Sequence, residues 1–405
     1  MAKRPQKHIL KNIETLDVIA APLLRWFHSE KRALPWREEP TPYRVWVSEI
    51  MLQQTRVETV KPYFERFVAA LPDVRALARA DENTLMKLWE GLGYYSRARH
   101  LQSAARLICS DHGGEIPAHF DDLLALPGIG RYTAGAVASI AFGERRPAVD
   151  GNVLRVIMRL LACPADILKE STKRDVEEAL IARLPENAGD FNQALMELGA
   201  LVCLPRGAAR CPSCPLERLC LAKKANLQAE LPQKTPPKRR RTEKLTIFLL
   251  SKNGKIALEK RPAHGLLSGL WGFPSMEGHL KKNEAAKALQ AFGLIPAKLH
   301  ALPAAQHIFS HITWQMVGWH VELAETSSDE PSAATKSSPA STEAVEANAR
   351  PASLRLHEAT APYDAQTKTP PLLWATAQEI ADIYSVPAAY RSYFPYLQAP
   401  DGASS

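Results

Sequence analysis

From Leu10 to about residue 225, leucine, alanine and aromatic residues recur at three- and four-residue spacing, the mark of helices with one apolar face. The breaks are short Pro/Gly segments such as Leu71-Pro72 and His112-Gly113-Gly114. Within this stretch Phe120 to Leu126 reads as a short helix. Pro127, Gly128 and Gly130 interrupt it, and a small-residue helix restarts at Arg131, giving a helix–turn–helix unit over about 120–142. Both glycines are expected to take backbone angles closed to other residues, so that the turn is tight. Asp150 precedes a further helix whose apolar positions Val153, Val156, Ile157 and Leu160 follow the helical period. Beyond Leu245 the period changes. Leu245 to Ser251 and Lys255 to Lys260 read as strands joined at Asn253-Gly254. A Gly-rich loop from Arg261 to Pro274, a helix over Glu284 to Phe292 and a strand-like run from Gln306 to Val317 follow. Regular structure resumes at Leu372-Leu373-Trp374 and ends near Leu397. The pattern predicts a mostly α domain over 10–225 and an α+β domain over 245–398.

Between them, residues 226–244 turn to proline and basic residues, among them Pro232, Pro236, Pro237 and the run Lys238-Arg239-Arg240-Arg241. This predicts an extended basic linker, either tracking nucleic acid or merely solvated. Residues 324–369 are rich in Ser, Thr, Ala, Pro and Glu with few aromatics, which predicts a disordered insertion.

A net charge of +8 and a pI of about 9.1 point to a polyanionic partner. The basic first eight residues lack an apolar core behind them, and no apolar run approaches a membrane span of roughly 18 residues. A soluble, intracellular, monomeric protein with no membrane partner is expected. Six cysteines in such a chain suit metal ligation or buried thiols better than a disulfide framework.

Four places carry candidate chemistry. On the helix after Pro42, Trp46, Glu49, Ile50 and Gln53 share one face, so Glu49 is a carboxylate on an apolar stripe. It is either a structural partner of an arginine or an acid whose pKa is raised by desolvation. The hairpin Leu126 to Gly130 either packs helices or presents the free N–H groups of the following helix to a phosphate. Asp150 is an ordinary helix N-cap or, so close to that hairpin, something more. Last, Cys203, Cys211, Cys214 and Cys220 lie within eighteen residues around a C-x2-C core. That is the spacing of metal ligands, zinc or iron–sulfur, with Arg206 and Arg210 in the intervening loop. Cys109 and Cys163 stand alone and read as core residues. Three further stretches stand out: Leu34-Pro35-Trp36-Arg37, an aromatic beside a cation in a loop; Gly91-Leu92-Gly93-Tyr94-Tyr95, suited to wedging aromatics between bases or to plain packing; and the polar pair Asn192-Gln193 on an apolar helix.

Taken in order, these motifs resemble the MutY family, the adenine DNA glycosylases that remove adenine mispaired with 8-oxoguanine. The resemblance covers nearly the whole chain and rests on Pro35-Trp36-Arg37, the helix segment Ser48 to Thr55, the Gly91 to Tyr95 loop, the hairpin with Asp150-Gly151-Asn152, the cysteines, and a C-terminal Phe309-Ser310-His311. It implies a helix-hairpin-helix glycosylase domain with an iron–sulfur loop over 203–220, then a Nudix-like lesion-recognition domain. It implies a [4Fe-4S] cluster on the four cysteines and duplex DNA carrying A:8-oxoguanine or A:G as partner, in the cytoplasm and on the nucleoid. Glu49 and Asp150 would be catalytic, with Tyr132 and Asn152 ordering the water and the sugar. Trp36, Arg37 and Gln193 would line the adenine pocket. Gln54 and Tyr94 would be the wedges, Gly128 and Gly130 would touch the DNA backbone, and Ser310 with its neighbours Phe309 and His311 would touch the 8-oxoguanine.

Two departures qualify the resemblance. The family spacing is usually C-x6-C-x2-C-x5-C, whereas seven residues separate Cys203 from Cys211 here; one inserted loop residue costs little. The bifunctional relatives place a nucleophilic lysine where this chain has Tyr132, so no Schiff base forms there and strand cleavage is expected to be absent or weak. The rival reading, a bifunctional glycosylase/lyase acting on another damaged base, is disfavoured by Tyr132 and by the extra domain. A Nudix hydrolase would need a dense Arg-Glu…Glu-Glu helix, where this chain offers Glu284 alone.

Overall fold

The computed structural model describes residues 10–205, 209–236, 239–262, 264–324 and 372–398. The expected insertion therefore lies outside the described residues beyond Ala324, as does Arg206. The chain divides into two compact units, Met1–Pro237 and Lys238–Ser405.

The first unit is helical. Thr41 accepts a hydrogen bond from the backbone N–H of Arg44 and Pro42 occupies the first turn, so the helix Pro42–Leu52 starts where a capping residue and a pre-set φ favour it. Its residues Trp46, Val47 and Met51 are almost fully buried, so the helix is enclosed on most sides, and Glu49 is carried inward with them. The helix Arg131–Phe142 stops at Gly143, whose φ of 72° is the left-handed cap conformation. Its small residues have a use. A Cβ on Gly135 would lie 2.1 Å from the carbonyl oxygen of Pro147, so the segment leading to Asp150 runs directly across this helix. Buried Asn192, on the helix Ala188–Leu201, fixes that segment. Its Oδ1 accepts from the N–H of Ala148, and its Nδ2 donates to Ser139 Oγ and to the Arg146 carbonyl. One side chain thus joins two helices and the approach to Asp150.

Leu34-Pro35-Trp36-Arg37, expected as loop, instead opens a one-turn helix, Pro35–Glu38. Proline at its first turn supplies the φ and lacks only an N–H that would be unbonded anyway. The expected linker is also shorter than its composition suggested. Leu231 is buried, its carbonyl accepts from Arg159 Nε at 2.9 Å, and the Gln233 carbonyl accepts from the N–H of Ile167. Thr235 bonds Asp166. Residues 231–235 therefore belong to the helical unit, and Arg241–Lys244 already form strand.

The second unit is a mixed sheet. Its described strands are β1 (Arg241–Lys252), β2 (Lys255–Lys260), β3 (Trp271–Gly272), β4 (Ser275–Glu277), β5 (Pro296–Ile308), β6 (Ile312–Leu323) and β7 (Leu373–Ala375). The order is β3-β2-β1-β6-β5, with β4 pairing β1 and β7 pairing β2. β1 and β6 run parallel, while β1–β2 and β5–β6 are antiparallel. Alternation along β1 sends Leu245, Ile247 and Leu249 to a core with Trp314, Tyr390 and Tyr393; Phe248 and Leu250 go to the opposite face, under the helix Lys282–Ala291. The single strand-like run expected over Gln306–Val317 is in fact the end of β5, a turn at Phe309-Ser310-His311, and the start of β6. Glu284 caps its own helix by accepting from the N–H of Lys281.

Candidate active site

A cleft of about 1370 Å³ in the helical unit gathers most of the residues singled out in the sequence. Trp36, Arg37, Glu49, Gln54, Gly130, Tyr132, Asp150, Asn152 and Gln193 all line it. Tyr94 and Gly128 do not. Tyr94 stands exposed, and Gly128 borders a separate 30 Å³ space with Trp46 and His100.

Glu49 is 6% exposed, and the hydroxyl of Tyr132 donates to its Oε2 at 2.5 Å. Burial pushes its carboxyl up to about 7; the charge of Asp150 adds to the rise, against the Tyr132 bond and the Arg37 charge. Burial also raises Tyr132 well above its ordinary value, so the phenol stays a donor. The arginine partner that would have made Glu49 merely structural has gone to a different carboxylate. Glu197, also buried, receives Arg32 at 2.8 Å through both oxygens and Arg37 at 3.1 Å. Burial alone would raise Glu197, but hydrogen bonds from Arg32 and Arg37 outweigh it and bring the group down to about 2. One cleft thus holds a carboxyl that is half-protonated near neutrality and another that is ionised there. Arg37 then reaches Gln193, donating to its Oε1 at 2.9 Å, and lies over the Phe27 ring.

Asp150 caps the helix Gly151–Leu160. Its Oδ1 accepts from the N–H groups of Asn152 and Val153, at 2.9 and 2.8 Å, and its Oδ2 from Asn152 Nδ2 at 2.6 Å. Burial raises its pKa against the pull of these three donors. Asn152 is held in turn by Arg155, whose Nη2 donates to Asn152 Oδ1 at 2.9 Å and whose Nε donates to the Cys203 carbonyl at 2.8 Å. Sequence reasoning missed Arg155, Arg32 and Glu197. Arg155 left a signal, a cation three residues after Asn152 and four before Arg159, amid the apolar positions of that helix. The Arg32–Glu197 pair left none, since 165 positions separate its members.

At the hairpin the two glycines differ. Gly128 has φ 76°, and a Cβ there would meet His100 Cβ at 2.5 Å. Gly130 has an ordinary φ of −90° and open space where its Cβ would stand, which corrects the expectation that both need unusual angles. What Gly130 gives is a bare N-terminus on the helix Arg131–Phe142.

Among the described residues no three His, Cys, Asp or Glu side chains are grouped as ligands of one metal ion. The four clustered thiols nevertheless sense one another. Burial pushes Cys214 up to about 12, with Cys203, Cys220 and Cys211 adding to the rise. Arg159 donates to Cys203 Sγ at 3.3 Å. A cluster of several irons spreads its thiolates more widely than a single ion does. Four soft donors in a half-buried loop, with a guanidinium alongside to offset negative charge, fit an iron–sulfur group. In the second unit, Ser310 and His311 are exposed at the tip of the β5–β6 turn, which closes through the N–H of Phe309 to the Ile312 carbonyl. Phe309 anchors it by packing edge-on to Trp314.

Residues 47–182 match the model of the HhH-GPD superfamily base excision DNA repair proteins, and residues 246–395 match that of the NUDIX domain. The adenine DNA glycosylase of Homo sapiens is 36% identical over 380 residues, covering 78% of this chain and 69% of the human one. That of Buchnera aphidicola subsp. Schizaphis graminum is 33% identical over 315 residues, covering 76% and 89%. Among solved structures, a thermostable thymine-DNA glycosylase aligns at 27% identity with a TM-score of 0.47, over 52% of this chain and 98% of that one.

Proposed function

The chain belongs to the adenine DNA glycosylase family, and on that premise we propose that it hydrolyses the N-glycosidic bond of adenine mispaired with 8-oxoguanine or guanine in duplex DNA, as a monomer and without cutting the strand. The observation that carries this reading is Glu49, a carboxyl that burial raises to near neutral pH against the bond from Tyr132, in the same cleft as Asp150. Adenine leaves poorly as an anion, so Glu49 donates a proton to its N7 while C1′ gains oxocarbenium character. Asp150, held by three donors, stabilises that cation, through charge or a transient adduct as in retaining glycosidases. Asn152 and Tyr132 order the water and the sugar. Trp36, Arg37 and Gln193 hold the extruded base, which Gln54 and Tyr94 displace from the stack. Gly128 and Gly130 bring the backbone close to a phosphate.

In this reading Cys203, Cys211, Cys214 and Cys220 would hold a [4Fe-4S] cluster, which would supply a structural tie across the loop whose Cys203 carbonyl and Sγ accept from Arg155 and Arg159. Ser310, at an exposed turn braced by Phe309 and followed by His311, reads the 8-oxoguanine. Tyr132 in the position of the lyase lysine supports a monofunctional reaction. The test is incubation with an A:8-oxoguanine duplex, assaying adenine release separately from strand nicking before alkali treatment. Adenine release with an intact abasic strand is expected. Nicking at the rate of release, with the protein trapped on DNA by borohydride, would establish the bifunctional alternative.

A further inference from the structure

Arg97, on the helix Ser96–Asp111, is buried and makes an unusual set of bonds. Its Nη1 donates to the carbonyls of Ile50, Met51 and Gln53, at 2.9, 2.9 and 2.5 Å. Its Nη2 donates to the carbonyls of Leu92 and Gly93, at 3.2 and 3.0 Å, and to Thr55 Oγ1 at 3.3 Å, while Nε reaches the Tyr94 carbonyl at 3.4 Å. The guanidinium lies over the rings of Trp89 and Tyr94. Carbonyl dipoles and aromatic faces offset its charge.

The two groups of carbonyls belong to two separate turns. One ends the helix that carries Glu49 and leads into Gln54; the other leads into Tyr94. Gln54 and Tyr94 are exposed and both have left-handed backbones, φ 56° and 47°, a conformation that costs a side chain of this size energy and persists only where the surroundings impose it. The surroundings common to both are the Arg97 fork. A planar fork with fixed N–H directions sets the separation of the two turns in a way that a point charge cannot.

We infer that Arg97 is a positioning residue for base extrusion, holding Gln54 and Tyr94 at one fixed spacing so that both enter the base stack together. This rests on the wedge roles proposed above. The test uses the full chain and a duplex with 2-aminopurine beside the target adenine, so that unstacking is read by fluorescence and cleavage by single-turnover rate, normalised to active sites. Arg97→Lys keeps the charge and loses the fork. Both the fluorescence rise and the cleavage rate should fall together, the rate by about 10- to 100-fold, as misplacements of about an ångström do elsewhere. In the Gln54→Ala/Tyr94→Ala background the same substitution should lower the rate by no more than about threefold, because the elements it acts through are gone. The midpoint of the pH–rate profile should not move. If Arg97→Lys does not fold, Thr55→Val, which removes one acceptor, carries the same comparison with a smaller effect of the same sign. A full-sized effect in the double-alanine background, or slow cleavage with normal unstacking, would overturn the inference. Wild-type protein that released no adenine would overturn the proposed function instead.

Discussion

Glu49 and Glu197 are both buried glutamates in one cleft, and their partners separate them: a phenol for the first, two guanidiniums for the second. The consequence for stability has opposite signs. Folded, Glu49 keeps its proton up to about pH 7, whereas its ordinary value is 4.5. Between these values the folded state binds more protons than the unfolded one, so stability falls as pH rises through that window, by about 3 kcal/mol in all. Glu197, brought down to about 2, contributes stability present above 4.5 and lost as pH falls toward 2. Glu49→Gln should therefore match the parent in urea melts near pH 4.5 and exceed it by up to about 3 kcal/mol at pH 8. Its single-turnover adenine release should fall by about 10²–10⁴-fold. An unchanged stability gap between the two pH values would show that Glu49 titrates like an exposed glutamate. Tyr132→Phe removes a bond that holds the Glu49 pKa down, so the alkaline limb of its pH–rate profile should move upward. A downward shift would mean that the phenol is not the donor. At this scale the sequence revealed what is local. The helical face of Glu49 and the N-cap position of Asp150 follow from neighbouring residues, while the Arg32–Glu197 pair, which leaves Glu49 without an arginine of its own, joins positions too far apart for any spacing rule.

Among the elements, the hairpin shows how a motif is legible while its mechanics are not. Gly-x-Gly after a proline announces a turn, but the letters do not say which glycine bears the strain. The structure assigns it to Gly128. Gly128→Ala should cost about 1–3 kcal/mol from the left-handed backbone and the approach to His100 Cβ, which is not the far end of a flexible side chain. Gly130→Ala, with ordinary angles and open space, should stay within about 1 kcal/mol of the parent. Thermal melts of the two variants give the comparison; equal losses would place strain at both positions. Only the end of β5, from Gln306, was legible, and its earlier part was not, for a related reason. Its Pro296, Ala297, Pro303 and Ala304 carry neither β-branched residues nor a clean alternation, and its bulged pairing with β6 supplies what local propensity does not. The tight Asn253-Gly254 turn, with both residues at positive φ, was legible because few other dipeptides accept that geometry.

For the whole molecule the division of the chain governs the design of any truncation. Composition alone would put a cut anywhere in 226–244, yet Leu231, Gln233 and Thr235 bond the helical unit. Ending the chain after Pro236 keeps these contacts, whereas ending it after Glu230 leaves Arg159 Nε without its acceptor and opens the site of a buried leucine. The shorter form should be the less stable by about 1–3 kcal/mol from the lost hydrogen bond alone. The form ending at Pro236 retains every residue proposed for extrusion and hydrolysis, so it should still release adenine. It lacks the Phe309-Ser310-His311 turn, and with it the proposed contact to the lesion. A hydrogen-bonded contact to a base edge discriminates by roughly 1–3 kcal/mol, so preference for 8-oxoguanine over guanine opposite adenine should fall by about ten- to a hundredfold. Phosphate contacts from the basic residues beyond the cut are lost as well, which weakens binding to both duplexes and lowers its salt dependence. Affinity alone would confuse these two losses. The informative quantity is the ratio of single-turnover rates on the two duplexes at saturating protein, for the full chain and for the form ending at Pro236. A ratio that survives truncation would assign lesion recognition to the helical unit and leave Ser310 without that role.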